Sequence, residues 1–142
     1  MRDLKIPIGL PHKANIFYGT QSGTAEKLAQ LLMDEAISLG AFDAVNLICF
    51  SDFNSKKHFV SKDEINLICV ASHYSGDPTD NTVKFYEWVQ SLSGKALEKM
   101  NYGLFGLGDS SYENYQAVGR YFDARFEELG AKRLVARGEG NS

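Results

Sequence analysis

A chain of 142 residues with 44% hydrophobic composition is the size of one domain and has enough apolar material for a core. Its 15 basic against 18 acidic residues leave a formal charge of -3, so there is no general basic field to grip phosphate backbones, and nucleic acid is not an expected partner. No apolar run approaches the ~20 residues needed to cross a bilayer, and Met1 to Lys13 lack the apolar stretch of a secretory signal, so this piece is expected to be soluble.

Residues 1–13 read as an N-terminal extension and 14–142 as the domain. The first strand is expected over Ala14 to Tyr18, followed by the turn-rich Gly19 to Thr24. A helix follows from about Ala25 to Leu39, with Leu28, Leu32, Ala36 and Leu39 on one face and Gly40 as its stop. A second strand lies near Val45 to Phe50, then a polar stretch from Ser51 to Asp63 with room for a short helix, then a third strand from Ile65 to Ala71. Both strands are continuous apolar runs, as buried parallel strands should be. Cys49 and Cys69 sit in these runs without CxxC or Cys/His spacing, which predicts buried, reduced thiols in a cytosolic setting and no metal site.

Beyond the loop Ser72 to Asn81 comes a helix carrying Phe85, Val89 and Leu92. A fourth strand, Tyr102 to Leu107, enters the loop Gly108 to Tyr115. A helix with Val118, Phe122, Phe126 and Leu129 stops at Gly130, before a fifth strand, Arg133 to Ala136. Alternating strands and helices of this kind predict an α/β fold, a doubly wound five-stranded parallel sheet in the order 2-1-3-4-5. Its ligand crevice would lie at the carboxyl ends of strands one, three and four, which carry the richest polar loops here. The chain ends at Ser142, where a helix covering one face of such a sheet normally follows. The expectation is a fragment, or a fold with an apolar patch left exposed.

The first loop, Gly19-Thr20-Gln21-Ser22-Gly23-Thr24, sets hydroxyl donors and a glycine directly before a helix N-terminus, a combination that suits a phosphate. It is not a Walker A loop, since Gly23 is followed by Thr24 and Ala25 and not by lysine. The bland alternative is an ordinary helix cap. The second loop, from Ser72 to Asn81, sets His73 beside Tyr74, and the third carries Tyr112 and Tyr115. A ring from each side would sandwich an aromatic heterocycle, with offset stacking contributing about 0.5 to 1.5 kcal/mol per pair.

The segments IFYGTQSGTAE (Ile16 to Glu26), SGDPTDN (Ser75 to Asn81) and FGLGDSSYENY (Phe105 to Tyr115) resemble the flavodoxin-like FMN domain of the NADPH-cytochrome P450 reductase, or diflavin reductase, family, in register from Ala14 onward. The resemblance implies FMN, with its phosphate on Thr20, Gln21, Ser22, Gly23, Thr24 and Ala25. It implies Ala71, Ser72, His73 and Tyr74 from the second loop, and Leu107, Gly108, Asp109, Tyr112, Asn114 and Tyr115 around the ring, with Tyr112 as the main stacking residue. The second loop departs from the family's ATYGEGDP, reading ASHYSGDP. Either His73 is the second stacking ring or Tyr74 has taken over after a local shift. Tyr74 also stands where the family has a glycine whose peptide turns toward flavin N5, so the half-reduced state is expected to be tuned differently.

The same resemblance implies that FAD and NADPH act on a separate module outside this chain and that FMN releases electrons singly to a cytochrome P450 or another haem protein. The chain alone would then be an electron carrier, with no catalytic acid, base or nucleophile of its own. Asp77, Asp80, Asp109 and Glu113 would give its rim a negative face that steers basic partners. The ending Arg137-Gly138-Glu139-Gly140-Asn141 is also similar to the flavodoxin domain of a tRNA wybutosine-synthesising enzyme. That domain, a short-chain flavodoxin and a flavodoxin-like interaction domain without cofactor are the alternatives. The parent is expected to be cytoplasmic, or anchored to the cytosolic face of a membrane.

Overall fold

A computed structural model describes residues 11–19, 23–72, 77–108 and 116–141. Its strands are β1 (Lys13–Gly19), β2 (Ala44–Cys49), β3 (Glu64–Ala71), β4 (Asn101–Gly108), β5 (Lys132–Arg133) and β6 (Gly138–Asn141). Its helices are α1 (Thr24–Leu39), α2 (Val83–Ser91) and α3 (Ala117–Glu128), with single 3-10 turns at Phe50–Asp52 and Asp80–Thr82. All strands run parallel in the order β2-β1-β3-β4-β5, with β6 also on β4. This is the doubly wound order expected. Among the described residues no helix is long and apolar enough to cross a membrane.

Period-two alternation divides the buried strands between two cores. Ala14, Ile16, Ile65, Leu67, Cys69 and Leu107 meet Ala25, Ala29 and Leu32 of α1 on one face. Phe17, Ile68, Val70, Tyr102 and Leu104 meet Phe85 and Val89 of α2 and Val118, Phe122 and Phe126 of α3 on the other. One described helix thus covers the first face and two cover the second. On the α1 side a shallow groove remains, lined by Leu28, Phe105, Leu107 and the backbone of 138–140. Left-handed backbone that favours glycine ends two of the helices, at Gly40 (φ 64°) after α1 and Gly130 (φ 91°) beyond α3.

Four expectations need correction. The fifth strand does not run from Arg133 to Ala136. It is split into β5 and β6; the Leu134 N–H still donates to the Tyr102 carbonyl (2.8 Å), but the ladder then breaks until Gly138, because β4 advances from Tyr102 to Phe105 while the outer chain advances from Arg133 to Gly138. The break lets Val135 cover Gly103, where a Cβ would lie 3.1 Å from the valine Cβ. Phe50 belongs to the 3-10 turn and not to β2, its ring stacked between Phe17 and Phe85 at centroid distances of 5.5 and 4.2 Å. Leu92 lies just past the end of α2. Cys49 is only half-buried, whereas Cys69 is fully buried; both are free.

An asparagine ladder crosses the second face. Asn46 donates to Asn15 (3.1 Å), Asn15 to Asn66 (3.3 Å) and Asn66 to the carbonyl of Asn101 (3.1 Å). Asn15 and Asn46 are register partners, as are Asn15 and Asn66. Asn15 and Asn66 are buried and Asn46 is exposed, so a one-residue slip would leave the two buried amides unpaired, which penalises it.

His58 packs edge-on against Phe17 (5.1 Å between ring centres) and beside Phe53, and its Nδ1 accepts the Asn54 N–H at 2.9 Å. Burial holds its pKa below the ordinary 6.5, despite an opposing pull from Glu64. The unfolded chain therefore takes up this proton first. The neutral ring's contribution is complete above about pH 6.5 and falls as the pH drops toward the lowered value. Urea midpoints at about pH 7.5 and 5.5 should differ more for the parent than for His58→Phe; equal pH dependence would show that His58 is not the group responsible.

Candidate functional site

Register fixes where the loops emerge. Gly19 of β1 pairs with Val70 of β3, and Ala71 pairs with Leu107 of β4. The carboxyl ends of these three adjacent strands therefore form one edge. Their crossover connections leave toward opposite faces, which opens a crevice between the loops. Of the expected phosphate-loop residues, Gly23, Thr24 and Ala25 are described, while Thr20, Gln21 and Ser22 lie outside the described residues. Ala71, Ser72, Leu107 and Gly108 are described at the ends of β3 and β4. His73, Tyr74, Asp109, Tyr112, Asn114 and Tyr115 lie outside the described residues.

At the start of α1 the N-cap is Gly23, at φ 90° and ψ -6°, with no side-chain cap bond; Thr24 is the first helical residue. A hydroxyl cap at Thr24 is therefore not what begins this helix. Among the described residues a Cβ on Gly23 would meet nothing within 4 Å, and its φ of 90° is what calls for glycine. A helix N-terminus follows Gly23 directly, a geometry suited to an anion. Ala25 is fully buried and anchors the first turn to the sheet.

The second loop is pinned at both stems. Ser72 donates its N–H to the Leu107 carbonyl (3.1 Å), one step past the regular β3–β4 ladder, and forms an antiparallel bridge with Pro78. The hydroxyls of Thr79 and Thr82, both buried, lie 2.9 Å apart and 3.0 and 3.3 Å from Asn81 Oδ1, a triangle in which two hydroxyl protons are shared among three contacts. Thr82 lies directly under the end of β1, where a Cβ on Gly19 would fall 1.8 Å from its Oγ1. Thr82, directly after the SGDPTDN segment and held by its Thr79 and Asn81, thus keys the second loop to the base of the first. Sequence reading missed Thr79, Thr82 and Gly19 in this role; the signal was a hydroxyl-amide-hydroxyl run after Pro78.

Asp77 and Asp80 are exposed at this edge, while Asp109 and Glu113 lie outside the described residues. At the neighbouring end of β1, the Tyr18 phenol titrates above its ordinary range, chiefly through burial and then through Cys49 and Glu26. Cys49 Sγ in turn accepts from Ser51 (3.1 Å).

The third loop's far stem is held by Gln116, whose Nε2 donates to the Gly140 carbonyl (2.9 Å) and whose amide lies against Gly106. Gly138 and Gly140 are glycines because Phe105 and Leu107 leave 2.9 and 2.8 Å for a Cβ. In the Arg137-Gly138-Glu139-Gly140-Asn141 run, Gly138–Asn141 are thereby accounted for as an edge strand seated on β4.

A flavodoxin family model matches residues 16–142. Among curated proteins, the chain is 37% identical over 135 residues to the NADPH–cytochrome P450 reductase of Salmo trutta, covering 89% of this chain and 21% of that protein. It is 38% identical over 130 residues to that of Sus scrofa, covering 89% and 19%. The chain therefore spans about a fifth of the length of these relatives. Among solved structures, a short-chain flavodoxin associated with a non-canonical PDU bacterial microcompartment superposes with a TM-score of 0.76 at 24% identity, over 91% of this chain and 83% of that one. A Streptococcus pneumonia TIGR4 flavodoxin gives 0.75 at 22% identity, over 91% and 84%.

Proposed function

The chain belongs to the flavodoxin family, and from that membership we propose that it holds one FMN across the ends of β1, β3 and β4 and serves as the electron-carrying module of an NADPH-dependent diflavin reductase. The observation that carries this reading is the convergence of three strand ends on one edge, with a glycine-capped helix N-terminus on the first loop. The residues fit the cofactor: Thr20 to Ala25 would take the phosphate, and the second and third loops would take the ring, with Tyr112 on one side and His73 or Tyr74 on the other. Bound FMN supplies one- and two-electron redox chemistry. The chain's own residues bind and orient it. Gly23 and the first turn of α1 offer backbone donors to the phosphate, and the strand stems fix the spacing of the loops around the ring.

The reductase relatives support the wider reading. In it a separate FAD and NADPH module supplies electrons, and a haem protein such as a cytochrome P450 receives them at the rim carrying Asp77, Asp80, Asp109 and Glu113. Two unpaired cysteines support a cytoplasmic setting. The glycine-rich tail that suggested a tRNA-modifying enzyme has a structural explanation as β6, and the relatives above do not favour that alternative or a domain without cofactor.

Flavin-free protein titrated with FMN should quench its fluorescence with one-to-one stoichiometry and should ignore FAD, since a single phosphate loop offers one anion site. NADPH alone should leave the bound flavin oxidised, whereas a separate FAD-containing reductase module plus NADPH should reduce it. Uptake of FAD in preference to FMN, or rapid bleaching by NADPH alone, would overturn the assignment.

A further inference from the structure

We propose that Ser72 is a positioning residue that sets the spacing between the second and third loops by holding the N-terminus of α3. The proposal rests on the FMN reading and goes further by naming the group that fixes the aperture. Ser72 Oγ accepts the Val118 N–H at 3.0 Å, across 46 positions of sequence. Val118 lies in the first turn of α3, whose own N-cap, Gln116, makes no side-chain cap bond. Gln116 is committed instead to the Gly140 carbonyl. The helix therefore takes its hydroxyl cap from the other loop's stem, in place of a local Ser or Thr.

The same residue carries two more ties. Its N–H reaches the Leu107 carbonyl at 3.1 Å, and its backbone bridges Pro78. Ser72 is thus joined to the stem that enters the third loop, through Leu107, and to the stem that leaves it, through Val118. It also closes its own loop through Pro78. The two backbone ties survive any substitution that keeps backbone geometry; the tie to α3 depends on one hydroxyl oxygen. A hydroxyl can accept from Val118 and still donate its proton elsewhere, so the positioning role does not exclude a contact with bound flavin.

The test compares Ser72→Ala, Ser72→Thr and the parent in three measurements: FMN affinity, the visible-region circular dichroism of the bound flavin, and hydrogen exchange of the Val118 amide. Ser72→Ala should weaken FMN on the order of tenfold, the scale of a lost N-cap bond. It should also alter the dichroism, which reports ring orientation, and speed Val118 exchange. Ser72→Thr, which keeps the hydroxyl, should restore all three. If Ser72→Ala weakens FMN while Val118 exchange and the dichroism stay parental, the hydroxyl is a direct ligand only and the proposal is overturned. Parental values in all three overturn it equally, as does a failure of Ser72→Thr to restore them. Exchange of Val118 is measured in the flavin-free protein as well. A parent that takes up no FMN yet shows hydroxyl-dependent protection there would count against the FMN reading while the contact itself stood.

Discussion

Replacing Asp123 with alanine is expected to lower stability by about 3 kcal/mol, the low end of the range for breaking a buried ion pair. The low end applies because the two arginine partners are about a third exposed, while the carboxylate is only 4% exposed. Oδ1 accepts from Arg133 Nε (2.9 Å) and from the Tyr102 hydroxyl (2.7 Å), and Oδ2 accepts from Arg137 Nη1 (2.8 Å). Tyr102 is fully buried, and burial with this hydrogen bond pushes its phenol well above the ordinary range. Without the carboxylate, two guanidinium groups would face each other across a site shaped for an anion. Arg133 and Arg137 flank Leu134 to Ala136, between β5 and β6, so the loss should concentrate there. Urea midpoints measure the total, and amide exchange in β6 should rise first. Asp123→Asn should fall between parent and alanine, since it keeps shape and loses charge. A change below about 0.5 kcal/mol, the scale of an ordinary surface substitution, would show that the clamp contributes little. The outer part of the network has its own pH signature. The hydrogen bond from Arg120 holds the Glu139 carboxyl below its ordinary 4.5. That contribution is complete above the ordinary value and is lost as the pH falls through the lowered one.

Gly19→Ala is expected to cost FMN affinity at least about tenfold, or ~1.4 kcal/mol, together with about 1 to 3 kcal/mol of stability from overpacking. The new Cβ would lie 1.8 Å from Thr82 Oγ1 and 3.2 Å from the Phe50 ring. Neither neighbour can retreat cheaply. Thr82 is buried in its bonds to Thr79 and Asn81, and Phe50 is stacked between Phe17 and Phe85. The end of β1 must therefore move, and with it the base of the first loop. Adding Thr82→Ala should recover part of both losses, with a coupling of about 0.5 to 3 kcal/mol in a double-mutant cycle. If Gly19→Ala keeps parental melting and affinity, or if the two substitutions simply add, the first and second loops are not keyed as described.

The sequence by itself determined the order of the elements and the edge on which the site lies. Apolar runs of strand length, helical periodicity and the stops at Gly40 and Gly130 are written in stretches short enough to read locally. Three polar loops after strands one, three and four were enough to predict the crevice, because parallel topology puts all carboxyl ends on one side. Legibility ended where a residue's role depends on a distant partner. Nothing near Asn15 announces Asn46 and Asn66, and nothing near Ser72 announces Val118. The apolar run after Arg133 reads as a strand. Tertiary structure decided otherwise, because Val135 fills the space over Gly103 and Asp123 draws in Arg133 and Arg137, which interrupts the ladder on β4 after the Leu134 N–H. Local propensity proposes an element; packing and charge pairing across the sheet decide where it must break.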